Sequence, residues 1–342
     1  MWDYVKNTKK PIILYGMGNG AEKILNELER RSINRIAGIF ASPGFLRNHQ
    51  FHGFDIVSYE DIKKKFGDVL ILLSFGTHLP DVIEYIKSIS KEQELLAPDV
   101  PVYGNEIFDK EFYNNHLNEI KQAYNMISEP FSKKVFNNII DYKLSGKIDF
   151  LLSCETEKDE IYKNILKLNN EIYMDLGAYK GDTIDEFIKY TNGYEKIIAV
   201  EPDVKNFKHL IKNIDDLSNI CCYNSPINDK DEKILFNSFG GRNSFAGGDN
   251  GSLAQGRSVD SLLNGEKVTY IKMDVEGQEE KAIIGAKETI KKYKPKMLIS
   301  CYHKSEDIFK IPIIISSIRN DYTIYLRHHP SLPAWDTNYL FV

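Results

Sequence analysis

The sequence predicts an α/β protein built from two strand, glycine-loop and helix units in series, joined by a helical stretch. Three observations predict it. Pro11 to Tyr15 is an apolar run that ends in Gly16-Met-Gly-Asn-Gly-Ala21 and passes into a helical pattern through Ile24, Leu25 and Leu28. Ile172 to Met174 is a second such run, closed by Asp175, punctuated by Gly177 and Gly181, and followed by an amphipathic run from Thr183 to Tyr190. Between the two, apolar residues recur at helical spacing. These patterns divide the chain into residues 1–104, 105–168 and 169–342.

In the first unit, Ile36 to Phe40 reads as a second strand and Val69 to Ser74 as another, the latter followed by a helix carrying Val82, Ile83 and Ile86. The glycine loop resembles a dinucleotide fingerprint. The second strand, however, ends in Ala41-Ser-Pro, where a ribose-binding acid is expected for NAD. A phosphate cradle, for a nucleotide sugar among others, and a plain tight turn both fit the loop. From Asn105 to Leu168 the spacing of Phe108, Phe112, Leu117, Ile120 and Tyr124, then Val135, Ile139 and Tyr142, predicts helices whose aromatics pack a core. Glu129-Pro130 breaks the first of them.

The last unit continues with a strand from Lys196 to Val200 ending in Glu201, a helix from Val204 to Ile214, and strands at Ile220 to Asn224 and Lys233 to Phe236. A Gly/Asn/Ser-rich stretch from Asn237 to Gly251 is longer than ordinary connections and reads as a lid, with Arg242 and Asn243 as substrate contacts. Strands follow at Val268 to Met273 and Lys296 to Ser300, separated by a helix from Glu279 to Tyr293. After a helix from Ile311 to Ile318, Thr323 to Leu326 and Tyr339 to Val342 form an antiparallel hairpin that closes the sheet.

Composition narrows the partners. A net charge of -5 with scattered basic residues offers no footprint for nucleic acid or an anionic membrane, so a small molecule or glycan is expected. Four cysteines without a C-x-x-C pair suit a reducing compartment. The amino-terminal stretch lacks the apolar core of a signal peptide, and no apolar run reaches the roughly 20 residues of a membrane span. A cytoplasmic protein is expected, and self-association into a homo-oligomer is left open.

The ligand follows from two carboxylates. Glu201, at the tip of the second strand of its unit, is placed to accept hydrogen bonds from the vicinal hydroxyls of a ribose. Asp175 sits where a pyrophosphate would lie; it would repel phosphate and favour a cation. The nucleoside that is cationic and free of phosphate is S-adenosylmethionine.

The segments YMDLGAYKGDT (Tyr173 to Thr183), AVEPD (Ala199 to Asp203), YIKMDVEGQEEKAIIGA (Tyr270 to Ala286), CYHKSEDIFKIP and LRHH resemble those of FkbM-family methyltransferases. The resemblance covers the C-terminal half. It implies a class I methyltransferase fold, a seven-stranded sheet whose last strand is antiparallel, and methyl transfer from S-adenosylmethionine, usually to a hydroxyl. By that resemblance Asp175, Gly177, Ala178, Tyr179, Gly181, Thr183, Glu201, Pro202, Asp274 and Glu276 form the cofactor site. The N-terminal unit is similar to the nucleotide-sugar-binding domains that precede some bacterial sugar-modifying enzymes.

His303, at the end of a strand, is the candidate general base, with Asp274 as a second proton acceptor. His303 and His328 are also expected to face the substrate. Asp274, Glu276 and His303 could together ligate one divalent ion, but spacing shows no two-histidine triad and no metal is assigned. The expected activity is O-methylation of a sugar or glycan precursor, a nucleotide-linked one among the candidates. The alternatives are an NAD(P)-linked oxidoreductase or a non-catalytic nucleotide-binding module using the loop from Gly16 to Ala21.

Overall fold

The computed structural model describes residues 1–46, 50–237, 245–246 and 251–342. The first sheet holds β1 (Ile12–Tyr15), β2 (Ile36–Phe40), β3 (Gln50–Phe51), β4 (Phe54–Val57), β5 (Leu70–Leu73) and β6 (Glu94–Leu96), in the order β3-β4-β2-β1-β5-β6. All pairs are parallel except the short β3/β4 edge. The central strands β1 and β5 are buried throughout, as expected for a parallel sheet covered on both faces.

Side chains alternate across this sheet and split its core. Ile12, Leu14, Leu70 and Leu72 face a cluster formed with Trp2, Val5, Ile24 and Leu28. Ile13, Tyr15, Ile71 and Leu73 point the other way, into a cluster that continues through the connecting helices to the second sheet. The helices are Lys110–Asn115, Leu117–Met126 and Pro130–Ser145. Pro130 opens the third of them at its first turn, with Glu129 accepting from the Ser132 amide, so the break in the pattern is also a start signal. Phe108, Phe112, Ile120, Val135, Ile139 and Tyr142 are all buried in the shared core.

The second sheet contains β7 (Glu171–Leu176), β8 (Tyr194–Val200), β9 (Ile220–Tyr223), β13 (Tyr270–Met273), β14 (Lys296–Ser300), β15 (Ile324–His328) and β16 (Thr337–Phe341). Three short strands, β10 (Glu232–Asn237), β11 (Phe245–Ala246) and β12 (Ser252–Gly256), form a separate antiparallel sheet. The order β15-β16-β14-β13-β7-β8-β9 places the last strand between β14 and β15, antiparallel to both. This is the sheet of the class I methyltransferase fold.

The segment expected as one helix from Glu279 to Tyr293 is two, Glu279–Gly285 and Lys287–Tyr293. A Cβ on Gly285 would lie 2.4 Å from the Asn228 carbonyl oxygen, so a neighbouring backbone presses on the chain at that point. No described helix is long and apolar enough to cross a membrane.

Candidate active site

The parallel strands of the second sheet end at a common rim, and a cavity of about 540 Å³ opens there. That volume lies within the range of small-molecule sites, about 300–1,000 Å³. At the end of β7 the chain turns sharply at Gly177, whose φ is +87°. A Cβ there would lie 1.9 Å from the Asp274 carbonyl oxygen, so only glycine permits this approach. The amides of Gly177 and Ala178 both donate to the Val200 carbonyl at 3.0 Å, which holds the loop against the end of β8.

Glu201 follows β8 and is buried, although it lines the cavity. Its carboxylate accepts from the Tyr179 amide at 2.9 Å and from the Asp203 amide at 3.0 Å. Burial nevertheless pushes its carboxyl up to about 7. Asp203 caps the helix Val204–Asn213 by accepting from Lys205 and Asn206.

Asp175 is fully buried and does not reach the cavity wall. It accepts a hydrogen bond from Thr183, and its Oδ1, 3.7 Å from Lys272 Nζ, has no hydrogen-bond partner. Burial raises its carboxyl, opposed by Lys272 and Thr183. The direct cation contact expected of Asp175 is thus replaced by an indirect one, since Thr183 and Lys272 stand between it and the cavity. Lys272 was not foreseen; its signal was a lysine inside the otherwise apolar strand of Tyr270 to Met273.

Asp274 and Glu276 line the cavity. Glu276 holds a left-handed φ of +51°. His303 departs from the expected base. It is fully buried, with Nδ1 2.9 Å from Glu279 Oε1 and Nε2 3.3 Å from Asp274 and 3.5 Å from Glu276. Burial disfavours its charge, but Glu279, Glu276 and Asp274 outweigh that and push the imidazole up to about 10.

His328, expected at the substrate face, is fully buried, its Nδ1 3.0 Å from Thr337 Oγ1; the neighbouring His329 lines the cavity instead. Arg242 and Asn243 lie outside the described residues. Gly181 and Ala178 are buried behind the loop, whereas Tyr179, Thr183 and Pro202 line the cavity.

The remaining wall comes from the first sheet and from the loop before β16. Gly76, Thr77 and His78 face Ser331, Trp335 and Asp336 across the cavity. Thr77 and Leu332 exchange backbone hydrogen bonds of 2.7 and 3.0 Å, and the Trp335 ring packs on Gly76, where a Cβ would meet it at 2.1 Å. The glycine loop of the first unit does not line this cavity. A Cβ on Gly16 would lie 2.5 Å from the Phe75 ring, and one on Gly20 2.3 Å from the Ser74 carbonyl oxygen. Close packing accounts for both glycines.

The second sheet has the class I methyltransferase fold. Residues 175–326 match the family model described as the methyltransferase FkbM domain. The crystal structure of methyltransferase FkbM from Methylobacillus flagellatus KT shares the fold at 20% identity and a TM-score of 0.75, covering 100% of this chain and 92% of that one. Aeropyrum pernix fibrillarin with natively bound S-adenosyl-L-methionine aligns at 15% identity over 51% of this chain and 66% of its own, with a TM-score of 0.32. Precorrin-6y C5,15-methyltransferase from Geobacter metallireducens GS-15 aligns at 10% identity over 54% and 88%, with a TM-score of 0.35. No curated protein sequence matches the chain.

Proposed function

We propose that the chain is an S-adenosylmethionine-dependent O-methyltransferase acting on a hydroxyl of a sugar or glycan precursor. The observation that carries the cofactor is the charge of the cavity. Asp182, Glu186, Glu201, Asp274, Glu276 and Asp336 line it against two lysines, Lys158 and Lys272. Such a wall favours a cationic ligand over a phosphorylated one. The glycine cradle at Gly177 and the buried carboxylate of Glu201 fit the group.

When bound, S-adenosylmethionine supplies an electrophilic methyl group on a sulfonium. Glu201 accepts from its ribose hydroxyls, while Gly177, Ala178, Tyr179, Gly181 and Pro202 shape the loops around it. Thr183, held by Asp175, and Lys272 set the polarity of the wall beneath. Most of what the protein contributes is alignment and exclusion of water. Asp274, at the end of β13 on the same rim, orients the acceptor hydroxyl and takes up its proton. Trp335 offers an apolar face beside polar Ser331, Asn338 and His78, the mixture that suits the C–H face and hydroxyls of a sugar.

Calorimetry with adenosylhomocysteine tests the cofactor. Asp175→Ala and Glu201→Ala are expected to abolish binding with the fold intact, and unchanged affinity in both would remove the site. Mass spectrometry of glycans from cells with and without the gene tests the acceptor; loss of a methyl ether is expected.

A further inference from the structure

We propose that Asp274, Glu276 and His303 form a divalent-cation site on the acceptor side of the cavity. The site adjoins the cofactor pocket at Asp274 in the same cavity, while Asp175, Gly177, Thr183 and Glu201 take no part in it. One ligand atom from each of the three residues lies within 4.8 Å of the others. His303 Nε2 is 3.3 Å from Asp274 Oδ1 and 3.5 Å from Glu276 Oε2. Adjacent ligands of an octahedral ion stand about 3.0 Å apart when bonds are about 2.1 Å, and about 3.4 Å apart when they are about 2.4 Å. Both separations have the size of such an edge.

The imidazole separates this group from an ordinary acidic patch. His303 is fully buried, and its Nε2 has no directed hydrogen bond. Nε2 faces the two carboxylates that line the cavity. Nδ1 faces Glu279 Oε1 at 2.9 Å, and that same oxygen accepts from the Val275 amide at 3.0 Å. A carboxylate that fixes one imidazole nitrogen while the other meets a metal is the usual outer arrangement around a histidine ligand.

A second trio, Glu279, His303 and Asp307, also comes together, but none of its members lines the cavity. Glu279 and Asp307 each accept from a backbone amide, of Val275 and Lys304, so this trio supports the site from behind. On the other flank Lys272 Nζ is 3.8 Å from Asp274 Oδ2, and Oδ1, which accepts from the Tyr302 hydroxyl at 3.3 Å, is turned to His303. One imidazole and two carboxylates form a mixed donor set that Mn²⁺ and Zn²⁺ both accept. An acceptor hydroxyl reaching the rim would complete the coordination and be held in place by it.

Mn²⁺ is the probe, read by the loss of its free-ion electron paramagnetic resonance signal on adding the metal-free full chain. One equivalent is expected to bind at micromolar concentration. Glu276→Gln is expected to weaken binding at least tenfold, and Asp274→Asn likewise. Glu280→Gln, on the outward face of the next helix, should leave it unchanged. Thermal melts of each variant separate loss of the site from loss of the fold. A free-ion signal undiminished up to millimolar protein, or equal binding by the wild type and a folded Glu276→Gln, would overturn the site and leave an imidazolium clasped by carboxylates. Adenosylhomocysteine calorimetry on the same sample keeps the two proposals distinct: cofactor binding without Mn²⁺ binding sinks the metal site alone.

Discussion

Glu201 places a carboxylate where burial disfavours its charge. Its folded-state pKa of about 7 lies above the unfolded value of 4.5. The folded chain therefore binds this proton more tightly than the unfolded one, and the stability it confers below pH 4.5 is lost as pH rises through 7. Glu201→Gln is expected to raise stability at pH 8 by about 1–3 kcal/mol in thermal denaturation while removing cofactor affinity. If the ligand requires the ionised form, adenosylhomocysteine affinity should fall roughly tenfold from pH 8 to pH 6. A flat profile would show that the charge is not used. Gly177 makes a second prediction at this scale. With φ at +87° and the Asp274 carbonyl 1.9 Å from any Cβ, Gly177→Ala should cost about 3 kcal/mol or more. It should also displace the end of β13, which calorimetry would register as lost ligand affinity.

At the scale of the element, β15 illustrates both what the sequence revealed and what it withheld. Thr323 to Leu326 read as a strand because apolar residues alternate, and β15 forms there, extended to His328. Which of His328 and His329 faces the cavity was not legible, because successive side chains of a strand point to opposite faces and register is set by distant partners. The outcome has a measurable consequence. Burial pushes His328 down to about 4, below its ordinary 6.5, so the stability of its neutral form is present above pH 6.5 and lost as pH falls through 4. His328→Gln should flatten the fall in melting temperature across that window. The same limit explains His303. Its position after β14 was readable, but its surroundings are built by Glu279, from the helix after β13, and by Tyr103, whose amide donates to the His303 carbonyl at 2.9 Å. Short edge strands such as β3 and β6 left too few residues for a pattern. Strands β7, β8 and β13 were legible because largely apolar runs meet an acid at Asp175, Glu201 and Asp274.

For the whole molecule, periodicity revealed two sheets but not that they share a core. One face of the first sheet, the connecting helices and the second sheet bury a continuous set of side chains that includes Ile13, Phe136, Ile271 and Tyr339. Ion pairs reinforce the join: Lys143 lies 2.8 Å from Asp99, both buried, and buried Arg327 lies 2.6 Å from half-buried Glu129. Calorimetric unfolding is therefore expected as a single transition; two resolved peaks would show that the halves melt separately.

The tie between Thr77 and Leu332 bears on how molecules come and go. Two backbone hydrogen bonds and an indole seated on a glycine latch the mouth on one side, so a clamshell motion would have to break all three contacts in every catalytic cycle. Traffic must then pass with the jaws shut, along the unlatched side. The amides of Thr77 and Leu332 should accordingly stay slow to exchange with deuterium while the enzyme is turning over.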